Sequence, residues 1–114
     1  MKPAFVPEPG DLIWTVFDPR VGREQSGRRL ALVISPSEFF LSTLFLIVCP
    51  ITSRVRPFPS SVLLPPGLPV EGEILISAVR AIDSQARPIT SAGCRVPPAI
   101  AEAVREKLQV LIAI

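Results

Sequence analysis

Residues 11–36 read D-L-I-W-T-V-F-D-P-R-V-G-R-E-Q-S-G-R-R-L-A-L-V-I-S-P, and the rest of the chain is organised around this stretch. The β-branched and aromatic residues of 11–17 predict one strand, and the apolar run 30–35 predicts a second strand that is buried on both faces. The polar loop between them carries four arginines, Arg20, Arg23, Arg28 and Arg29. Fixed positive charge in a loop between two strands predicts a site for an anion such as phosphate. The alternative is a solvated hairpin loop whose arginines only keep the protein in solution.

Short apolar runs separated by proline and glycine continue beyond this stretch. They predict strands over 44–51, 61–64, 73–79 with a continuation at 81–82, and 89–96. Pro50 is expected to close the strand at 44–51, because proline cannot donate to a strand ladder. Residues 37–41 are expected to form one helical turn.

A single proper helix is predicted at the C-terminus. Pro97 and Pro98 stand where a first helical turn tolerates proline, and the apolar residues that follow recur at helical spacing, at Ile100, Val104, Leu108 and Leu111. Five to seven short strands with one late helix predict a mainly β fold, a small and strongly bent antiparallel sheet or barrel with a capping helix.

Composition limits the kind of protein and the kind of chemistry. The chain has 114 residues, 48% of them hydrophobic and 19% charged, which predicts one globular domain over 1–114. The net charge is only +2, but ten of the twelve basic residues are arginine, whose rigid fork of donors suits phosphate.

The longest uncharged window, 39–53, is too short to span a bilayer, so no membrane association is expected. Cys49 and Cys94 match no metal spacing and are expected to be buried free thiols in a reducing cytoplasm.

The sequence contains no histidine and no tyrosine. Their absence removes the commonest general base, the commonest transition-metal ligand and any histidine-dependent nucleophilic triad. An enzyme with this composition must therefore work with arginine, serine, threonine, carboxylates or backbone groups.

The order of motifs along the whole chain resembles the MazF/PemK/Kid toxin family. The resemblance rests on P-G-D-L-I-W-T-V-F-D-P-x-x-G-x-E-Q-x-G-x-R at 9–29, A-L-V-I-S-P at 31–36 and C-P-I-T-S at 49–53. It implies an SH3-like (CcdB/PemK-type) barrel that works as a homodimer. The implied activity is metal-independent, sequence-specific cleavage of single-stranded RNA, as the toxin of a type II toxin–antitoxin pair. The implied partner is an antitoxin whose acidic, disordered C-terminal segment folds across the basic groove.

By position, the resemblance makes Arg29 the catalytic arginine and Thr52 the threonine paired with it, while Glu24 and Gln25 shape the site and approach the RNA. Attack of a ribose 2′-OH on the adjacent phosphodiester develops negative charge that a fixed guanidinium can neutralise. A guanidinium is a poor general base because its pKa exceeds about 12. Glu24 is therefore expected to be the base or to orient Arg29.

Each of these assignments has a structural alternative. Glu24 could form only an ion pair, with Arg23 or Arg28. Thr52 could be a strand-end hydroxyl that caps a loop.

Further RNA contacts are predicted on both basic loops. Arg54, Arg56 and Phe58 offer charge for the RNA backbone and an aromatic face for a base. Gln25, Arg23 and Arg28 are the corresponding candidates on the first loop.

The chain departs from the family pattern at three places. Leu30 stands where the family usually has proline, and Ser60-Ser61 stand where it often has an aromatic residue and glutamate. Ser77-Ala78 replace an Asp-Gln pair that contributes to base recognition and, in some members, to catalysis. We expect altered RNA specificity, weakened cleavage or loss of cleavage.

Two alternatives belong to a binding class, and the Ser77-Ala78 departure favours the first of them. One is a protein of the same fold that binds RNA through a disabled site, and the other is a CcdB-like toxin directed at gyrase. A purely structural oligomerisation module would leave the arginine loop unexplained.

Overall fold

The computed structural model describes residues 5–17 and 28–114, and these residues form seven strands and two α-helices. In chain order they are β1 (Asp11–Val16), β2 (Arg28–Val33), α1 (Ser37–Thr43), β3 (Phe45–Thr52), β4 (Ser61–Leu63), β5 (Glu73–Leu75), β6 (Arg80–Asp83), β7 (Thr90–Arg95) and α2 (Pro98–Leu111). A 3-10 turn, Ile76–Ala78, separates β5 from β6. The predicted class, mainly β with a C-terminal helix, is confirmed.

All described strand pairs are antiparallel, and β2 lies in the middle of the sheet. The order is β4-β5-β3-β2-β1-β7, and β6 also pairs with β3. Leu30 in β2 lies opposite Trp14 in β1 and opposite Ile51 in β3. The four residues from Leu30 to Val33 are all buried, as the apolar run predicted.

Two hydrophobic clusters pack on opposite faces of this bent sheet. Alternate residues of β2 enter different clusters, as the two-residue period of a strand requires. Leu30 and Leu32 join the cluster that α2 covers through Val104. Ala31 and Val33 join the cluster that α1 covers through Phe40.

Helix α1 is longer than the single turn predicted for 37–41. It runs from Ser37 to Thr43, and Phe40 anchors it because this side chain is buried in the second cluster. The hydroxyls of Ser42 and Thr43 donate to carbonyls one turn back. Tertiary packing thus extends a segment whose local sequence favours helix only weakly.

Two boundary predictions around β3 were wrong. Pro50 does not close this strand, which continues to Thr52, and residues 73–79 do not form one strand. β6 pairs with β3 as far as Val48, β5 pairs with it from Ile51, and the 3-10 turn lies between these two ladders. Pro50 therefore occupies a break in the pairing on that side of β3, where a residue without an N–H is tolerated.

The cysteines are both free thiols, but only one is buried as predicted. Cys49 lies in the first cluster, where burial raises the pKa of its thiol to about 11. Cys94 in β7 is only half-buried, so the prediction that it lies in the core was wrong. Within 5–17 and 28–114, neither helix has the length and apolar character needed to cross a bilayer.

Candidate active site

Arg29 and Thr52 lie side by side at one end of the central strands. β2 and β3 run antiparallel with Leu30 opposite Ile51, so their immediate neighbours, Arg29 and Thr52, are brought to the same edge. Both line a depression of about 320 Å³, within the range of small-ligand pockets. The two side chains that the sequence paired are therefore brought together.

Strand pairing fixes the backbone of Arg29. Its partner in β1 is Thr15, which is buried and whose hydroxyl faces the backbone carbonyls of Arg87 and Pro88. The Arg87 guanidinium donates to the carbonyls of Val16 and Phe17, at 2.9 Å each, and so ties down the end of β1. The Arg29 side chain is exposed, and it projects from a backbone that is fixed by β1.

The hydroxyl of Thr52 has one hydrogen-bond partner in its own loop. Its Oγ1 accepts the N–H of Arg54 at 3.1 Å. Thr52 therefore caps the loop that follows β3, as the structural alternative predicted. Because a hydroxyl can accept and donate at the same time, its proton remains available for a phosphate oxygen.

Arg80 is a second basic residue at this depression, and sequence reasoning missed it. It lines the same wall as Phe17 and Ala78, and its guanidinium carbon lies 5.1 Å from the centre of the Phe17 ring. Two guanidinium groups around one depression favour an anionic ligand. The only sequence signal was a basic residue at the polar end of a strand, which does not show that β6 pairs back onto β3.

A second depression lies on the other side of Arg29. It is lined by Trp14, Arg28, Arg29 and Glu71, among others. The Arg28 guanidinium carbon lies 4.9 Å from the centre of the Trp14 ring, a cation–π contact. The two depressions share Arg29 and Ile51, so together they form a groove suited to an extended polyanion.

Of the other predicted site residues, some line the Arg29–Thr52 depression and others do not. Ala78 lines the Arg29–Thr52 depression, whereas Ser77 is exposed and does not line it. Arg54, Arg56 and Phe58 are exposed in the segment between β3 and β4 and lie outside that lining. Glu24, Gln25 and Arg23 fall outside the described residues.

Glu73 in β5 is a buried carboxylate that sequence reasoning also missed. It is 1% exposed and lies opposite Thr52 in the β3–β5 ladder. It accepts hydrogen bonds from the Ser61 hydroxyl and, at 2.7 Å, from the N–H of Arg56. These two bonds, the first the stronger, hold the pKa of Glu73 below its ordinary value, against the opposing effect of desolvation. A carboxylate in a three-residue apolar strand was the only signal, and its partners could not be read without the register.

The described part of the chain brings no three His, Cys, Asp or Glu side chains together in a way that could hold a metal ion.

The fold and the site define a small, bent β-sheet protein with an arginine-lined depression suited to an anionic ligand. The family model of PemK-like, MazF-like toxins of type II toxin–antitoxin systems matches residues 8–112, and the chain belongs to this family. The chain is 37% identical over 112 residues to the endoribonuclease toxin MazF of Escherichia coli (strain K12), covering 98% of this chain and 99% of that protein.

Solved structures agree with this assignment. The crystal structure of MazF (Form-I) from Deinococcus radiodurans matches with a TM-score of 0.85 and 37% identity, over 96% of this chain and 99% of that one. A MazE–MazF complex (Form-III) from the same organism matches with a TM-score of 0.86 and 35% identity, over the same shares of the two chains.

Proposed function

We propose that this protein is an endoribonuclease toxin that cleaves single-stranded RNA, with Arg29 and Thr52 at the scissile phosphate. The observation that carries the proposal is the shared depression of these two side chains, at positions that the family pattern pairs. The similarity to MazF endoribonucleases over almost the full length supports the reaction class.

The proposed reaction begins with attack of the ribose 2′-OH on the adjacent phosphodiester. It yields a 2′,3′-cyclic phosphate and a 5′-OH, and it requires stabilisation of a dianionic phosphorane. Arg29 supplies a fixed guanidinium for this charge, and the Thr52 hydroxyl donates to a non-bridging oxygen. Arg80 adds a second positive charge at the same depression. Glu24 is proposed as the base or as the group that orients Arg29.

The proposed path of the RNA follows the groove formed by the two depressions. Arg28, stacked on Trp14, lies on one side of Arg29, and Arg80 lies on the other. Three arginines along one groove suit the phosphates of a single strand, and the half-buried Trp14 adds an aromatic side chain to the groove lining. Gln25 and Arg23 are proposed as further contacts from the first loop.

The proposed specificity differs from that of relatives with Asp-Gln at the positions of Ser77-Ala78. Ala78 lines the depression with a methyl group, which cannot form hydrogen bonds to a base edge. We therefore propose an altered cleavage sequence and slower cleavage.

The proposed partners are an antitoxin and a second copy of this chain. MazE–MazF complexes of Deinococcus radiodurans support a protein antitoxin, whose acidic segment would compete with RNA for the same arginines. Exposed apolar residues at the end of α2 support homodimer formation. We further propose that the protein is a single toxin domain that acts in the cytoplasm, without a metal or other cofactor.

Incubation of the purified protein with a mixed-sequence RNA pool in EDTA tests the proposal. Sequencing the 5′ ends of the products should give one preferred cleavage site, with ends that accept phosphate from a kinase because they carry 5′-OH groups. An intact pool to which the protein binds would instead support the RNA-binding alternative. An intact pool with inhibited gyrase supercoiling would support a protein-directed toxin.

A further inference from the structure

The segment between β3 and β4, residues 53–60, carries Arg54, Arg56 and Phe58 and is fixed along its length. At its start, the Arg54 N–H donates to Thr52 Oγ1. In its middle, the Arg56 N–H donates to Glu73 Oε1 at 2.7 Å. At its end, the Phe58 N–H donates to Ser61 Oγ at 3.2 Å. An exposed basic segment therefore has an ordered backbone.

Glu73 connects the middle and the end of this segment. The Ser61 hydroxyl, which accepts from Phe58, donates its proton to Glu73 Oε2. From the opposite side, Lys107 of α2 donates to the carbonyls of Pro59 at 2.6 Å and Ser61 at 3.1 Å. One buried carboxylate thus holds the segment directly at Arg56 and indirectly, through Ser61, at Phe58.

Burial of the charged Glu73 side chain at this position is energetically unfavourable. Its neighbours Ile74 and Ile76 are fully buried and apolar, and a buried charge contributes little to stability compared with such residues. Buried charges are tolerated when they are hydrogen-bonded, and the two bonds of Glu73 come from Arg56 in the segment and from Ser61, which in turn holds Phe58. The position of Glu73 opposite Thr52 places these bonds next to the proposed reaction centre.

We propose that Glu73 is a positioning residue for RNA binding, which fixes residues 53–60 so that Arg54, Arg56 and Phe58 lie ready beside Thr52. The inference rests on the proposed function, because it assumes that RNA occupies the Arg29–Thr52 depression. An ordered backbone reduces the entropy lost when a long strand is bound. Glu73 itself contacts neither the RNA nor the reacting atoms, so it acts on affinity rather than on the chemical step.

The first test is Glu73→Gln. The amide oxygen can still accept from Arg56, but the amide nitrogen cannot accept from Ser61. We expect the Kd for single-stranded RNA to rise about tenfold, while the single-turnover rate at saturating RNA changes less than about twofold. Glu38→Gln is the charge-matched control, because it removes the same charge from an exposed position on α1. It should leave both quantities unchanged.

The second test introduces Glu73→Gln into a background with Arg54, Arg56 and Phe58 all changed to alanine. If Glu73 acts by placing these three side chains, its effect on RNA affinity should disappear in the triple-alanine background, because the side chains through which it acts are missing. The same tenfold loss in both backgrounds, or a loss confined to the chemical step, would overturn the proposal. If Glu73→Gln does not fold, Ser61→Ala is measured in both backgrounds and should show the same dependence with a smaller loss.

Wild-type protein separates this inference from the proposed function. If the wild type neither binds nor cleaves RNA, both are wrong. If it binds and cleaves RNA, and Glu73→Gln does so equally well, only the role of Glu73 is wrong. If it binds without cleaving, the proposed reaction fails, and the role of Glu73 is decided by the affinities alone.

Discussion

Thr52 shows how one side chain at the end of a strand can have two tasks. Its oxygen accepts the N–H of Arg54, and because a hydroxyl can donate while it accepts, its proton is available to a ligand in the depression that Thr52 shares with Arg29. The side chain therefore orders the start of residues 53–60 and keeps a donor for a phosphate oxygen. Valine has nearly the same shape but lacks both functions.

Thr52→Val is expected to lower the single-turnover cleavage rate by about tenfold to a hundredfold, because hydrogen bonds to charged groups contribute about 1.5–3 kcal/mol. Thr52→Ser keeps the hydroxyl and should remain within about threefold of wild type. Both are measured on the mapped RNA site at saturating protein. Wild-type cleavage by the valine variant would show that the hydroxyl serves the loop alone.

Glu73 should contribute to stability in a pH-dependent way. Its pKa is lowered from the ordinary value of 4.5, so the folded protein binds fewer protons at this site than the unfolded chain. Its stabilisation is therefore present above pH 4.5 and is lost as the pH falls through the lowered value. The Tm difference between wild type and Glu73→Gln should shrink below about pH 4.5 in thermal melts. A constant difference down to strong acid would contradict this assignment.

At the scale of elements, Gly72 lets β5 approach β3. Its φ is +150°, and an added Cβ would lie 2.6 Å from Ile51 Cγ2 and 2.8 Å from the Thr52 carbonyl oxygen. A side chain at this position would push β5 away from the strand that carries Thr52. The pairing of Thr52 with Glu73 thus depends on a residue without a Cβ.

Gly72→Ala is expected to cost about 3 kcal/mol in the free energy of unfolding, because it adds a backbone clash to conformational strain. Gly67→Ala is the matched control, since Gly67 also has a positive φ, +100°, but has open space around it. Its cost should be about 1 kcal/mol. Urea denaturation measures both, and equal losses would show that close approach is not the constraint at Gly72.

Most strands could be predicted from sequence because they depend on local pattern. The apolar run of β2 and the spacing along α2 indicated elements that the structure contains. The 3-10 turn Ile76–Ala78 could not be predicted, because it arises where β5 and β6 pair with different parts of β3. The extra turn of α1 depends on burial of Phe40, which is likewise a tertiary effect.

The residues of the candidate site could likewise be predicted only in part. Arg29 and Thr52 were named from the resemblance, and the β2–β3 register brings them together. Arg80 and Glu73 could not be placed, since their neighbours are set by strands that are distant in sequence. The roles assigned to Glu24, Gln25 and Arg23 remain predictions.

At the scale of the whole molecule, one end of α2 presents an apolar surface. Val110, Leu111 and Ile112 are exposed, and Leu108 and Ile112 line a depression together with Phe39 of α1. An apolar surface of this kind is typical of an interface. It supports the proposed homodimer, and we propose that the interface includes this end of α2.

Ile112→Asp is expected to shift the protein from dimer to monomer, because it places a charge within that surface. Ala99→Asp adds the same charge at an exposed position at the other end of α2 and should leave the dimer intact. Sedimentation velocity at several concentrations measures the change. An aspartate variant that remains dimeric would place the interface elsewhere.

The central claim, that Arg29 neutralises the charge of the reacting phosphate, is tested most directly by one rate constant. Single-turnover cleavage of the mapped RNA site is measured in EDTA for wild type and Arg29→Ala, with circular dichroism to confirm folding. Because the Arg29 side chain is exposed and its backbone pairs with Thr15 of β1, the variant should fold. We predict a rate at least about a hundredfold lower, as for the loss of a preorganised donor to an oxyanion. A folded Arg29→Ala protein that cleaves at the wild-type rate would contradict the account.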